Sequence, residues 1–350
     1  MSVIGDNIRK NRLKNNLTTR DLAQKIGVSH TAVNKFEKGL LSPNKQMIRK
    51  MARIFKVKTQ KLVLDTSTLV DIKNIEFREE ERITKKNKEL IEYIAKEELE
   101  KYSNLLEYFP EERFPSFDTA KYREVISAYE DIEEKAASIR KKLGAGEKAV
   151  FGMTELLENN GLIIIFAESV EGFSAQEGYI QDKYLFVTLR KEKTEEAQRY
   201  LLASELARIV LEINDPALNT EDVNNEFASS FLMSRELITR DIGERRKKIS
   251  FYELEELRKK YRLPEIIIIK RLRQLKIISE AEKTRLYNYV KDKTGETDNK
   301  TEIKNEKSDK YKKIVIEAVL EKYIDYKKGA KFLNMLEKDF LRLIDEKKQG

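Results

Sequence analysis

Gly27 is the residue that most constrains the N-terminal part of this chain. It stands between two short segments with helical apolar spacing, Thr19 to Ile26 and Ser29 to about Lys38. A glycine there supplies the left-handed backbone of a tight turn, which other residues resist. Thr18 and Ser29 carry hydroxyls that can accept the free N–H groups of a first helical turn, so each reads as an N-cap. Gly39 ends the second segment. Ala23 is small enough to let the two helices approach closely. Val28 plugs the core beneath the turn, and Val33 and Phe36 face inward. Ile4 to Asn15 reads as a preceding amphipathic helix with Ile4, Ile8 and Leu13 inward. Asn44 to Phe55 and Thr59 to Leu64 read as two helices that follow.

The outward positions of the Ser29–Lys38 helix are His30, Thr31, Asn34, Lys35 and Lys38. These residue types read base edges or hold phosphates. The charge distribution points the same way. Through Asp65 there are 15 Lys and Arg against 4 Asp and Glu, a net +11, so the other residues carry −3 of the chain's +8. A polyanionic partner for the first fifth of the chain follows from electrostatics.

The stretch LTTRDLAQKIGVSHTAVNKFEKGLLSPNKQMIRKMARIFKVKTQKLV resembles the lambda-repressor-like (XRE) helix-turn-helix family over its five-helix length. The resemblance implies that the helix capped by Ser29 is the recognition helix. It also implies that Thr19 and Arg20 lie near the DNA backbone. The family often has Gln where Thr19 stands, which alters that contact. A double-stranded DNA operator and a homodimer are the expected partners.

The remaining residues suggest further domains, because 350 residues exceed one typical domain. Charged residues make up 37% while Gly and Pro number only 13 and 5, which favours charge-faced helices. The expected fold is mainly α with a small α+β domain. Its parts are a helix-turn-helix at 1–66, a helical linker or arm at 67–130, an α+β domain at 131–292, a flexible linker at 293–310 and a C-terminal helical module at 311–350. Asp71 to Ala149 reads as helical, with a first helix carrying Leu90, Ile91, Ile94, Leu99, Tyr102, Leu105 and Leu106. Pro110 to Pro115 breaks it, and a second helix runs from Thr119 to Lys142. The first helix fits either an arm or dimerisation stalk, or a helix packed on the next domain. No apolar run approaches the roughly 20 residues of a membrane span, and the N-terminus lacks an apolar signal core. No cysteine is present. A cytoplasmic protein is expected.

In the α+β domain, GLIIIFA (Gly161–Ala167) is of strand type, and GYIQDKYLFVTL (Gly178–Leu189) reads as a hairpin turning at Gln181 and Asp182. Helices are expected at Glu195–Asn214 and Asp222–Met233, then a winged-helix-like unit in FYELEELRKKYRLPEIIIIKRLRQLKII. This order resembles the ImmA/IrrE family of metallopeptidase-like domains. AQRYLLASELARIVLEI lies where that family carries HExxH, and EDVNNEFASSFLMS where it carries an acidic third ligand. HExxH places two histidines one turn apart on zinc and a glutamate on the attacking water. Here Ser204 and Arg208 replace the histidines, and Val223 stands at the acidic position. Glu205 alone matches. The chain's one histidine, His30, sits in the helix-turn-helix. A cationic Arg208 would also repel a divalent metal. The expectation is a domain that is no enzyme and holds no metal or cofactor, acting as a platform for a protein or small-molecule effector.

Gly295–Lys310 is polar and reads as a linker. Beyond it, Ile314, Ala318 and Leu320 give one apolar face and Ala330, Phe332, Leu333 and Phe340 another. Three functions fit the sequence: a transcriptional regulator acting as a repressor, an antitoxin-type protein that binds a toxin and controls its own operon, and a metallopeptidase, which the missing ligands disfavour.

Overall fold

The computed structural model describes residues 2–63, 72–79, 83–110, 113–168, 170–192, 194–294 and 306–349. Five helices form an N-terminal head: α1 (Val3–Lys14), α2 (Thr19–Ile26), α3 (His30–Glu37), α4 (Lys45–Ile54) and α5 (Gln60–Val63). Then come β1 (Ile72–Glu79), α6 (Lys85–Leu106), α7 (Thr119–Tyr122), β2 (Glu124–Ile126) and α8 (Asp131–Leu143). The central part holds α9 (Met153–Asn159), β3 (Ile163–Ala167), β4 (Phe173–Ile180), β5 (Tyr184–Arg190), α10 (Glu195–Val210), β6 (Leu211–Ile213) and α11 (Thr220–Leu232). The chain ends with α12 (Arg235–Ile242), α13 (Phe251–Tyr261), α14 (Glu265–Gln274), α15 (Glu280–Thr294), α16 (Lys310–Leu320), α17 (Tyr326–Phe332) and α18 (Glu337–Gln349). The fold is mainly helical with small sheets, as expected.

The main sheet has the order β1-β4-β5-β3. The β4–β5 hairpin is antiparallel, β1 adds antiparallel to β4, and β3 runs parallel to β5. Gln181 and Asp182 form the hairpin turn with φ 55° and 51°. Both faces of this sheet are covered, which is why β5 is buried from Tyr184 through Leu189. Leu185, Val187 and Leu189 point into a core shared with α8 to α15, whereas Tyr184 and Phe186 point into a second core on the opposite face. That second core is built by Leu99, Tyr102 and Leu105 of α6 with Ile314, Val315, Ala318 and Phe340 near the C-terminus.

Several expectations change. The region 71–149 is not uniformly helical: residues 72–79 form edge strand β1, and the helix expected from Thr119 to Lys142 is divided by β2, which pairs in parallel with β6. Helix α10 stops at Val210, because Leu211–Ile213 completes that pair. The 251–278 segment supplies helices α13 and α14, with α15 after them and no strand wing among the described residues. α6 is a packed helix rather than a free stalk, with Leu90, Ile91, Ala95 and Leu99 buried.

The C-terminal helices are not a detached module either. Glu306, expected in the flexible linker, is 2% exposed. Its carboxylate accepts from the N–H groups of Met153 and Thr154 at the start of α9, and from Arg199 Nε at 2.9 Å. Ser308 donates to Glu158 at 2.5 Å, and Lys310 donates to the carbonyl of Leu162. Residues 306–310 are therefore a strap pinned to the central core. Leu64, Asp71 and residues 295–305, at or within other expected boundaries, lie outside the described residues.

Candidate nucleic-acid interface

The head is assembled by its caps and by one buried ion pair. Thr18 and Asp21 form a reciprocal capping box at the start of α2. Gly27 takes φ 79° and ends α2, and its N–H and that of Val28 both donate to the carbonyl of Ala23. Ser29 Oγ accepts from the N–H of Ala32 and starts α3. Val33 is fully buried and Phe36 nearly so, which fixes the rotation of α3. The opposite face of α3 then follows from helical geometry. Ser29, His30, Thr31, Asn34, Lys35 and Lys38 are all exposed there. Arg20 in the first turn of α2 is exposed as well, and Thr19 beside it is half-buried. The α3 positions are thus brought together on one face that offers donors, acceptors and two cations, and Arg20 of α2 is a third exposed cation.

Three residues that position this surface escaped the sequence reading. Arg12 of α1 grips Glu37 of α3 in a bidentate pair at 2.6 and 2.9 Å, and also donates to the carbonyl of Leu17. Both side chains are buried, at 8% and 6% exposure. The signal was available: Glu37 falls four residues after Val33, on the inward stripe, where a carboxylate requires a partner. Gly5 is the third. A Cβ there would lie 2.5 Å and 2.6 Å from the carbonyl oxygens of Glu37 and Phe36. α1 can cross the end of α3 only because that atom is missing. Immediately beyond α3, Leu40 and Leu41 are exposed apolar side chains, Leu40 at 73%.

The second candidate site lies between α10, α11 and the sheet. Ser204 and Glu205 are buried on α10, and Val223 is fully buried on α11. Arg208 reaches Glu205 at 3.6 Å, Glu177 of β4 at 3.7 Å and Glu76 of β1 at 4.0 Å. Burial raises the pKa of Glu177, and the charge of Arg208 opposes that rise. Glu76, Glu177 and Arg208 form one side of an open cleft of about 700 Å³. This side-chain set does not fit zinc. The positions of the HExxH ligands hold a hydroxyl, a guanidinium and an isopropyl group, and the guanidinium faces the carboxylates itself. Among the described residues no group of three His, Cys, Asp or Glu side chains is arranged to hold a metal ion.

Comparison with known proteins bears on the head. A helix-turn-helix family model matches residues 8–62. That span is an XRE-type helix-turn-helix domain, and it makes the chain a DNA-binding transcription regulator. No curated protein and no solved structure matches the chain. No helix among the described residues is long and apolar enough to cross a membrane.

Proposed function

We propose that the chain is a homodimeric repressor, and that everything beyond its head is a non-catalytic sensor or partner platform. The observation that carries this reading is the exposed face of α3, where His30, Thr31, Asn34, Lys35 and Lys38 stand together over a core locked by Arg12 and Glu37. Two such heads would read half-sites about one helical turn, roughly 34 Å, apart. The ImmA/IrrE resemblance supplies the platform, and Ser204, Arg208 and Val223 are the reason for reading it as inactive. Arg208 there serves as a fixed cation that ties Glu205 on α10 to Glu177 and Glu76 on the sheet.

The antitoxin alternative needs a partner-binding module. It would bind its partner through the middle or C-terminal domain, but Ile314, Val315, Ala318 and Phe340 of the C-terminal helices are spent on the chain's own core. The regulator reading is therefore preferred. Footprinting of the full chain on the DNA upstream of its own gene tests it. A protected two-fold site at physiological salt is expected, and uniform salt-sensitive binding without a footprint would sink it.

A further inference from the structure

Helix α6 carries two different faces. Glu89 and Glu97 meet the head, pairing with Arg9 and with Lys10, Lys14 and Lys61. Ile94, Glu98 and Tyr102 lie about 140° around the helix from them at 3.6 residues per turn. This second stripe is one wall of a cavity of about 520 Å³. The end of β3 and the strap 306–308 with the start of α16 form the other walls. The volume lies within the roughly 300–1,000 Å³ of small-molecule sites.

The lining is apolar inside and carries three lysines against three carboxylates, two of which pair with cations from outside the cavity. Ile165, Phe166, Tyr102 and Tyr311 contribute the apolar surface, the two tyrosine rings meeting edge to face at 5.2 Å. Three carboxylates line the cavity, and each already has its cation. Glu98 is paired with Lys101 at 2.6 Å, Glu168 with Lys191 at 2.9 Å and Glu306 with Arg199 at 2.9 Å. Lys307 and Lys312 line it too, both exposed and without an ion-pair partner among the described residues. The uncompensated charge at the cavity is therefore positive, beside an aromatic wall.

We propose that this cavity binds a small amphipathic anion: an aromatic or aliphatic body against Tyr102, Tyr311 and Phe166, with a carboxylate, sulfonate or phosphate head at Lys307 and Lys312. The site deepens the sensor reading, since its ligand would press on the same helix that holds the DNA-binding head. Its test needs no DNA, so it can fail while the footprint stands, or the reverse.

Titrating the full chain with 1-anilinonaphthalene-8-sulfonate reads the site directly, because that probe is itself an aromatic anion with environment-sensitive fluorescence. Saturable binding of one probe per chain is expected, displaced by decanoate and not by decylamine. The double variant K307E/K312E changes two exposed side chains and should keep the wild-type melting temperature. It should weaken probe and decanoate binding at least about tenfold, since reversing two nearby charges turns attraction into repulsion. Ile94→Trp, which fills the cavity from the α6 side, should abolish the signal. Absence of saturable binding, equal displacement by decylamine, or unchanged affinity in K307E/K312E would each overturn the assignment.

Discussion

At the scale of single residues, the head separates groups that would read sequence from groups that would hold the backbone. Asn34 has the paired donor and acceptor that an adenine edge requires, whereas Lys38 is a point charge suited to phosphate. Asn34→Ala should therefore cost about 1–3 kcal/mol on the specific site and little on random DNA. Lys38→Ala should weaken both alike and reduce the salt slope of log K by about 1. Competition titrations at several salt concentrations distinguish the two, and identical profiles for both variants would contradict the division. The Arg12–Glu37 pair acts from beneath. Removing one member strands a buried charge, which typically costs about 3–5 kcal/mol. Glu37→Ala should show a loss of that order in urea unfolding, with DNA binding lost alongside. The double change R12M/E37L removes both charges and should recover much of the stability. If the double variant is as unstable as the single one, lost packing rather than a stranded charge is responsible.

At the scale of elements, legibility follows the range of the forces involved. The head is legible because caps, the turn glycine and inward apolar positions all act within a few residues, and α1 to α5 fall where those signals stand. The β4–β5 hairpin is legible for the same reason, its turn lying at Gln181 and Asp182. β1 is not. Residues 72–79 run straight into a Glu- and Arg-rich stretch of good helix formers, and only the distant edge of β4 makes them a strand. β2 and β6 are three residues each and exist through their parallel pairing. The strap is hidden by its composition. A Lys- and Glu-rich segment reads as solvated linker, and nothing local reveals that Glu306 finds Arg199 and the start of α9.

The strap also gives a pH signature. Burial raises the carboxyl of Glu158 from 4.5 to about 7. Between those values the folded chain keeps a proton that the unfolded chain has released, so stability falls as pH rises through the window. Glu158→Gln keeps an acceptor for Ser308 but has no such proton. Measured by urea unfolding, its stability relative to the wild type should rise by about 3 kcal/mol from pH 4.5 to 7. A constant difference over that range would show that Glu158 titrates normally.

At the scale of the whole molecule, the question is how the head is held against the rest. Glu97 gathers Lys10, Lys14 and Lys61, at 3.7 Å and 2.8 Å for the first and last, and Glu89 takes Arg9. The apolar core of the head is its own, and none of its buried residues comes from α6. The attachment is thus mainly electrostatic. Partly exposed pairs are worth up to about 1 kcal/mol each and are screened by salt. At 1 M salt the screening length is about 3 Å, which weakens such partly exposed pairs. The docked head should therefore come free without unfolding. Small-angle scattering should show the radius of gyration rising by on the order of 2 Å for E89Q/E97Q at low salt, and for the wild type at 1 M salt. Circular dichroism should stay unchanged in both cases. The same variant frees four cations from two carboxylates and raises the local charge by two, so its affinity for random DNA should increase. A radius that stays constant under both treatments would mean that the head is held by contacts other than these carboxylates, and α6 would then have no electrostatic grip through which to control it.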